Sequence, residues 1–165
     1  KRVSISSANK NIEKILEDKE GRIFFFTMTG LYQYDENTNR AITRLSKMVE
    51  KNCYNYSCHI DRKDVMWIVT SYSVKGYRTQ DLKLIAQNPV QSYPIASFLL
   101  DGHQLYISGY NGMQLFDTDT RKWQQLPAAL QGLQIPNDMV SGIHPYGEKG
   151  NLLLSTTKHG LLYFN

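Results

Sequence analysis

The sequence predicts an all-β fold of β-propeller blades, about four of them, each four-stranded. Three observations carry that prediction. A repeat of about 40–45 residues runs the length of the chain, every copy parses into short strands, and helical periodicity is weak throughout. The 165 residues suffice for one domain, and 41% apolar with 12% aromatic residues is ample for a packed core.

The repeat shows when four segments are aligned: EDKEGRIFFFTMTGLYQYD (17–35), IDRKDVMWIVTSYSVKGYR (60–78), LLDGHQLYISGYNGMQLFD (99–117) and GEKGNLLLSTTKHGLLYFN (147–165). In each, an apolar strand ends at Thr27, Thr70, Gly109 or Thr157, positions 43, 39 and 48 residues apart. Gly30, Ser73, Gly112 or Gly160 follows three residues later, and Tyr34, Tyr77, Phe116 or Phe164 closes the next strand.

In the first copy, residues 12–17 alternate and form the opening strand, with a polar turn at 18–21. Residues 22–27 are apolar almost throughout, as a strand buried on both faces requires. Residues 31–34 alternate, with Leu31 and Gln33 on one face and Tyr32 and Tyr34 on the other; residues 41–45 supply the fourth strand. Asp18 and Asp61 recur at the first turn and are expected to bond its backbone N–H groups. Gly30, Gly112 and Gly160 are expected to supply positive φ in the second turn. Phe24, Trp67 and Tyr106 share one repeat position and read as core.

The blades are placed at approximately 9–46, 50–88, 92–127 and 137–165, and the best short helical candidate, PAALQGL at 127–133, falls in the linker before the last. The last copy stops after its third strand. Residues 2–6 (RVSIS) alternate as an edge strand, and two readings stay open: they complete the last blade and close a four-bladed ring, or they end an earlier blade. A seven-bladed ring needs roughly 300 residues at this period. The chain opens at Lys1 without initiator Met or leader and is read as a piece of a longer protein.

Composition and motif searches exclude several functions. The net charge of +4 is spread along the chain with no basic stripe, which argues against nucleic acid. The longest apolar runs are about four residues, against roughly 20 for a membrane helix, so no membrane contact is expected. There is no GxSxG, P-loop, GxGxxG or HExxH, and the chain is read as non-catalytic and without cofactor. His59, His103, His144 and His159 lie at no metal-ligand spacing and are assigned to turns or surface. Cys58 and His59 are adjacent and point to opposite faces of a strand. Asp117-Thr118-Asp119-Thr120 fits a hairpin better than a calcium loop, since no downstream Glu follows. No metal is expected. Cys53 and Cys58 are read as free thiols, Cys58 in the core.

The first copy resembles the two-component regulator propeller repeat, matching it at Glu17, Asp18, Gly21, Phe24, Thr27, Gly30, Leu31, Tyr34 and Asp35. The second keeps Asp61, Trp67, Thr70 and Tyr77, with Asp64, Ser73 and Arg78 in place of Gly, Gly and Asp. The third keeps Tyr106, Gly112, Phe116 and Asp117 but has Gly109 for Thr; the fourth keeps Thr157, Gly160, Leu161 and Phe164. Such repeats build the periplasmic sensor domain of hybrid two-component system histidine kinases from gut anaerobes. There, two seven-bladed propellers precede an immunoglobulin-like domain, a membrane helix and the kinase. The resemblance therefore implies an extracytoplasmic, periplasmic sensing module, an oligosaccharide ligand, and control of polysaccharide-utilisation genes. It also implies further blades and an Ig-like domain as neighbours in the same receptor. The alternative is a protein-interaction or dimerisation scaffold, with a homodimer made through open blade edges.

Ligand contact is expected on the loops joining second to third strands and on the inter-blade connections of that same face. The candidates are Tyr72, Tyr93, Tyr110, Asn111, Asn137, Lys158 and His159. Tyrosine rings stack on the apolar faces of pyranoses, and Asn, Lys and His hydrogen-bond hydroxyls or an acidic sugar's carboxylate.

Overall fold

The structure is a computed structural model that describes residues 4–5, 11–27, 30–46, 57–109, 112–131, 139–147 and 151–164. Its strands are β1 (Ser4–Ile5), β2 (Ile12–Glu17), β3 (Ile23–Thr27), β4 (Gly30–Asp35), β5 (Arg40–Ser46), β6 (Ser57–Ile60), β7 (Val65–Val69) and β8 (Ser73–Arg78). They continue with β9 (Leu84–Pro89), β10 (Pro94–Leu100), β11 (Gln104–Gly109), β12 (Gly112–Asp117), β13 (Lys122–Gln124), β14 (Val140–Pro145), β15 (Leu152–Thr156) and β16 (Leu161–Phe164). Four separate antiparallel meanders result: β2–β5, β6–β9, β10–β13 and β14–β16. This is the predicted all-β architecture of propeller blades. The helical candidate contributes one 3-10 turn, Ala128–Leu130.

The strand β1 runs parallel to β5, pairing Ser4 with Arg40 and Ile5 with Ala41, and so forms a fifth strand on the first sheet. Completion of the last blade by residues 2–6 is thereby corrected. The outer edge of β5 would otherwise offer unpaired N–H and C=O groups, and β1 pairs with them.

The sheets stack through alternate residues of their second strands. Phe24, Phe26 and Leu31 pack on Cys58, Met66, Ile68 and Leu82 of the second sheet. The opposite face of the second sheet presents Trp67, Val69 and Val74 to Leu105, Ile107 and Phe116. Tyr106 and Leu115 then meet Val140, Ile143, Leu152 and Leu154, with Leu130 of the linker filling the same cluster. Full burial of each large side chain contributes about 1.5–3 kcal/mol, so one strand serves two interfaces at once. The shared position of Phe24, Trp67 and Tyr106 is core, as expected, at 0, 0 and 2% exposure.

The first turns follow the Asp prediction. Asp18 Oδ1 accepts from the N–H groups of Glu20 and Arg22, and Asp61 Oδ1 from those of Lys63 and Val65. Asp64 takes the place of Gly21, both at positive φ (65° and 76°), a conformation Asp tolerates better than most residues. The third sheet turns differently. Asp101 and Gly102 both have positive φ, and the His103 N–H donates to the Leu100 carbonyl, a two-residue Asp-Gly hairpin.

Two details of the second turns are corrected. Gly112 and Gly160 have positive φ, but Gly30 does not. Gly30 is needed because a Cβ there would sit 2.5 Å from the Leu45 carbonyl oxygen. In the last sheet Thr156, not Thr157, makes the bond of Thr27 and Thr70, its hydroxyl donating to the carbonyl of Gly160. That loop is one residue longer.

Candidate functional site

The loops between second and third strands and the connections between sheets lie at one end of the stack, here the upper end. Thr70 organises the β7–β8 loop: its Oγ1 accepts from the N–H groups of Ser73 (3.0 Å) and Tyr72 (3.3 Å) and donates to the Ser73 carbonyl. The tight turn projects Tyr72 outward, 52% exposed. The Tyr72 carbonyl accepts from the Val90 N–H, which ties this loop to the connection leading into β10. Tyr93 stands on that connection, also exposed. Gln114, nearly buried, pins it: Oε1 accepts from the Gln91 N–H at 2.8 Å, and Nε2 donates to Ser92 Oγ at 2.6 Å. Sequence reasoning missed Gln114. Its signal was a lone amide in the otherwise core-forming strand GMQLFD.

The structure thus brings Tyr72 and Tyr93 onto adjoining segments. Lys158 and His159 stand exposed on the β15–β16 loop, where the His159 N–H donates to Thr156 Oγ1 at 3.0 Å and the Thr157 N–H to the Met139 carbonyl. Tyr110, Asn111, Asn137 and Cys53 lie outside the described residues.

A polar cluster crosses the first strands of three sheets. Lys14 Nζ donates to His59 Nδ1 at 3.0 Å, and His59 Nε2 faces the Ser97 carbonyl at 3.1 Å and Ser97 Oγ at 2.9 Å. Ser57 Oγ bonds Ser97 Oγ. His59 is therefore neither a turn nor a surface residue, which corrects that expectation. Burial, and then the Lys14 charge, hold its pKa down at about 3, against a smaller opposing effect of the Ser97 carbonyl. The ring is neutral with its proton on Nε2, so its one acceptor nitrogen is taken by Lys14 and none is left to receive a proton from Ser97. Burial also lowers the Lys14 pKa and pushes the Cys58 thiol well up; Cys58 is a free thiol wholly inside the core.

Two open clefts lie at the opposite, lower end, beside the third sheet.

The class these sheets define is a fold of about four β-propeller blades. Its structure is similar to the extracellular domains of two B. thetaiotaomicron proteins described as hybrid two-component systems. One is 15% identical with a TM-score of 0.68, over 96% of this chain and 20% of that one. The other is 19% identical with a TM-score of 0.68, over 94% and 23%. The WD40 domain of SCAP from fission yeast is a more distant likeness, 14% identical with a TM-score of 0.50 over 94% and 42%. The chain spans about a fifth of the length of these two extracellular domains. No protein-family model and no curated protein sequence matches it. No helix among the described residues is long and apolar enough to cross a membrane.

Proposed function

We propose that this chain is a non-catalytic, ligand-sensing propeller module of a two-component receptor, held in the periplasm and recognising an oligosaccharide at its upper end. The observation that supports this most is its structural likeness, over nearly its whole length, to part of the extracellular domains of hybrid two-component systems. In this reading the exposed rings of Tyr72 and Tyr93 stack on sugar faces, and Lys158 and His159 hydrogen-bond hydroxyls or a carboxylate. Ligand binding then shifts the packing against the following domains and biases a histidine kinase carried elsewhere in the receptor, which controls polysaccharide-utilisation genes.

The test is isothermal titration of the chain with neutral and acidic oligosaccharides, repeated on Tyr72→Ala. Saturable binding that Tyr72→Ala abolishes, with the melting temperature unchanged, supports the reading. Binding that survives the substitution removes Tyr72 from the site.

One observation favours a second reading, a dimerisation or protein-interaction scaffold. The outer face of the last sheet leaves Leu161 and Tyr163 more than half exposed, and single-sheet faces of this kind mark interaction surfaces. Sedimentation decides it: self-association that Tyr163→Ser disrupts, in a chain that binds no glycan, favours the scaffold.

A further inference from the structure

The lower ends of the first two sheet interfaces are latched. Between the first and second sheets, Asp64 accepts from the Lys19 N–H through Oδ1 and from Thr79 Oγ1 through Oδ2. Between the second and third, the Arg62 N–H donates to the Gly102 carbonyl at 2.8 Å, and the Arg62 guanidinium pairs with Asp119. Between the third and fourth, the Ser108 hydroxyl donates to the Val140 carbonyl at 2.9 Å, toward the upper end of the interface. The linker, with its 3-10 turn, drives Leu130 into the core between these sheets. A cleft of about 310 Å³ opens beside it, with a second space of about 290 Å³ sharing Gln104 and Pro127.

The lining is specific in chemistry. Tyr146 and Pro127 give flat apolar surface, and Tyr106, Gln104, Asn151 and Asp101 give polar groups. Tyr146 is held edge-to-face by Tyr163, with centroids 6.2 Å apart, and Tyr163 in turn accepts from Asn151 Nδ2 at 2.9 Å, so the ring is preorganised. Burial, and then the charge of Asp101, raise the Tyr106 pKa, which keeps its hydroxyl a donor. Asp101 is exposed, no described residue pairs with its carboxylate, and no Lys, Arg or His is among the described residues that line the cleft.

We infer that this lower cleft between the third and fourth sheets is a second binding site, for a neutral, hydroxyl-rich ring such as a pyranoside. Apolar faces, an amide, a phenol and an unpaired carboxylate match alternating C–H and O–H groups. The unpaired carboxylate repels an anionic ligand, which separates this site from one built around Lys158 and His159. The size admits one or two rings.

The experiment is a 15N-detected NMR titration of the whole chain with methyl β-glucoside, methyl β-galactoside and methyl α-mannoside up to about 50 mM, the range in which single-ring ligands saturate weak sites. Methyl glucuronide is the charged counterpart. The expected result is saturable shifts in residues 101–106 and in Tyr146, Gly147, Asn151 and Leu152 with at least one neutral glycoside. Tyr146→Ala should weaken that binding about tenfold, and glucuronide should bind more weakly than its neutral analogue. Asp101→Asn keeps a residue that tolerates positive φ, so the hairpin survives, and should narrow the neutral-to-glucuronide preference. The inference is overturned if no glycoside shifts these residues, if Tyr146→Ala changes nothing, or if glucuronide binds as well as the neutral ring. Tyr72→Ala should leave these shifts intact, so failure here and failure at the upper end are read separately.

Discussion

Truncating Asp61 tests whether one buried carboxylate organises the whole second blade. Asp61 is 4% exposed and accepts three hydrogen bonds: from the N–H groups of Lys63 and Val65, each at 2.9 Å, and from Trp67 Nε1 at 2.7 Å. In Asp61→Ala the three donors lose their partner. Water reaches Lys63, which is exposed, but not the indole of Trp67, which is fully buried. A buried donor left unpaired costs about 1–3 kcal/mol, so the indole and the Val65 N–H together account for about 3 kcal/mol. For a chain of this length that corresponds to a melting temperature lower by roughly 6–12 °C. Urea denaturation of wild type, Asp61→Ala, Trp67→Phe and the double variant measures the loss and its source. In the Trp67→Phe background the cost of Asp61→Ala should fall by about 1–2 kcal/mol, because no indole N–H remains to be stranded. Asp18→Ala should cost less than Asp61→Ala, since its second oxygen serves the partly exposed Arg22 instead of a buried indole. A loss below about 1 kcal/mol for Asp61→Ala, or no coupling to Trp67, would refute the reasoning.

Four further outcomes follow from the packing. His59 is held neutral in the folded chain with a pKa of about 3, against about 6.5 when unfolded, so the unfolded state binds the proton first. Stability attributable to His59 is complete above about pH 6.5 and falls by about 1.4 kcal/mol per unit as pH drops toward 3; His59→Gln should flatten that slope between pH 6.5 and 5 in urea titrations, and parallel curves would exclude it. Cys58, with its thiol pushed up by burial, should react with a maleimide only as fast as the chain opens; in a Cys53→Ser background, native-state labelling at the rate of a free thiol would contradict the core placement. Gly76→Ala should cost about 1–3 kcal/mol by calorimetry, because its Cβ would lie 2.8 and 2.9 Å from carbons of the Trp67 ring. Leu161→Asp should change the stability of this chain by no more than about 0.5 kcal/mol, whereas Val74→Asp should cost about 4 kcal/mol or more.

How much was legible depended on whether the cause was local. The strands were legible because the run FFF at 24–26 and WIV at 67–69 admit only a strand buried on both sides, and the Asp turns because a carboxylate two and four residues before its donors is a closed local unit. The choice between Thr156 and Thr157 was not, since both fit the repeat and only loop geometry separates them. The placement of β1 turned on a pairing with β5 that no local pattern encodes, and that of His59 on which side chain, Lys14, stands 45 residues away in the neighbouring sheet. On the candidate ligand face the local loops were read, and Tyr72 does project from its turn. Gln114 and the lower cleft were missed because both depend on contacts between sheets, in one case with a connection 22–23 residues distant and in the other with a long linker.

The contrast between Val74 and Leu161 carries the structural meaning of the repeat. Leu31, Val74, Met113 and Leu161 occupy one position, the start of the third strand, and each of the first three points toward the following sheet. Leu31 and Val74 are sealed there at 0% exposure, while Leu161 is 67% exposed, and the neighbouring residues Leu162 and Phe164 turn back to the third sheet. Leu161 therefore carries the side chain of an interface for which no sheet is present among the described residues. Burying a leucine contributes about 1.5–3 kcal/mol, and Tyr163 beside it would add its own ring. In the proposed receptor the next blade supplies that surface. Leu161→Asp should then be nearly silent in this chain and costly in the longer one; equal effects in both would mean that no blade packs there.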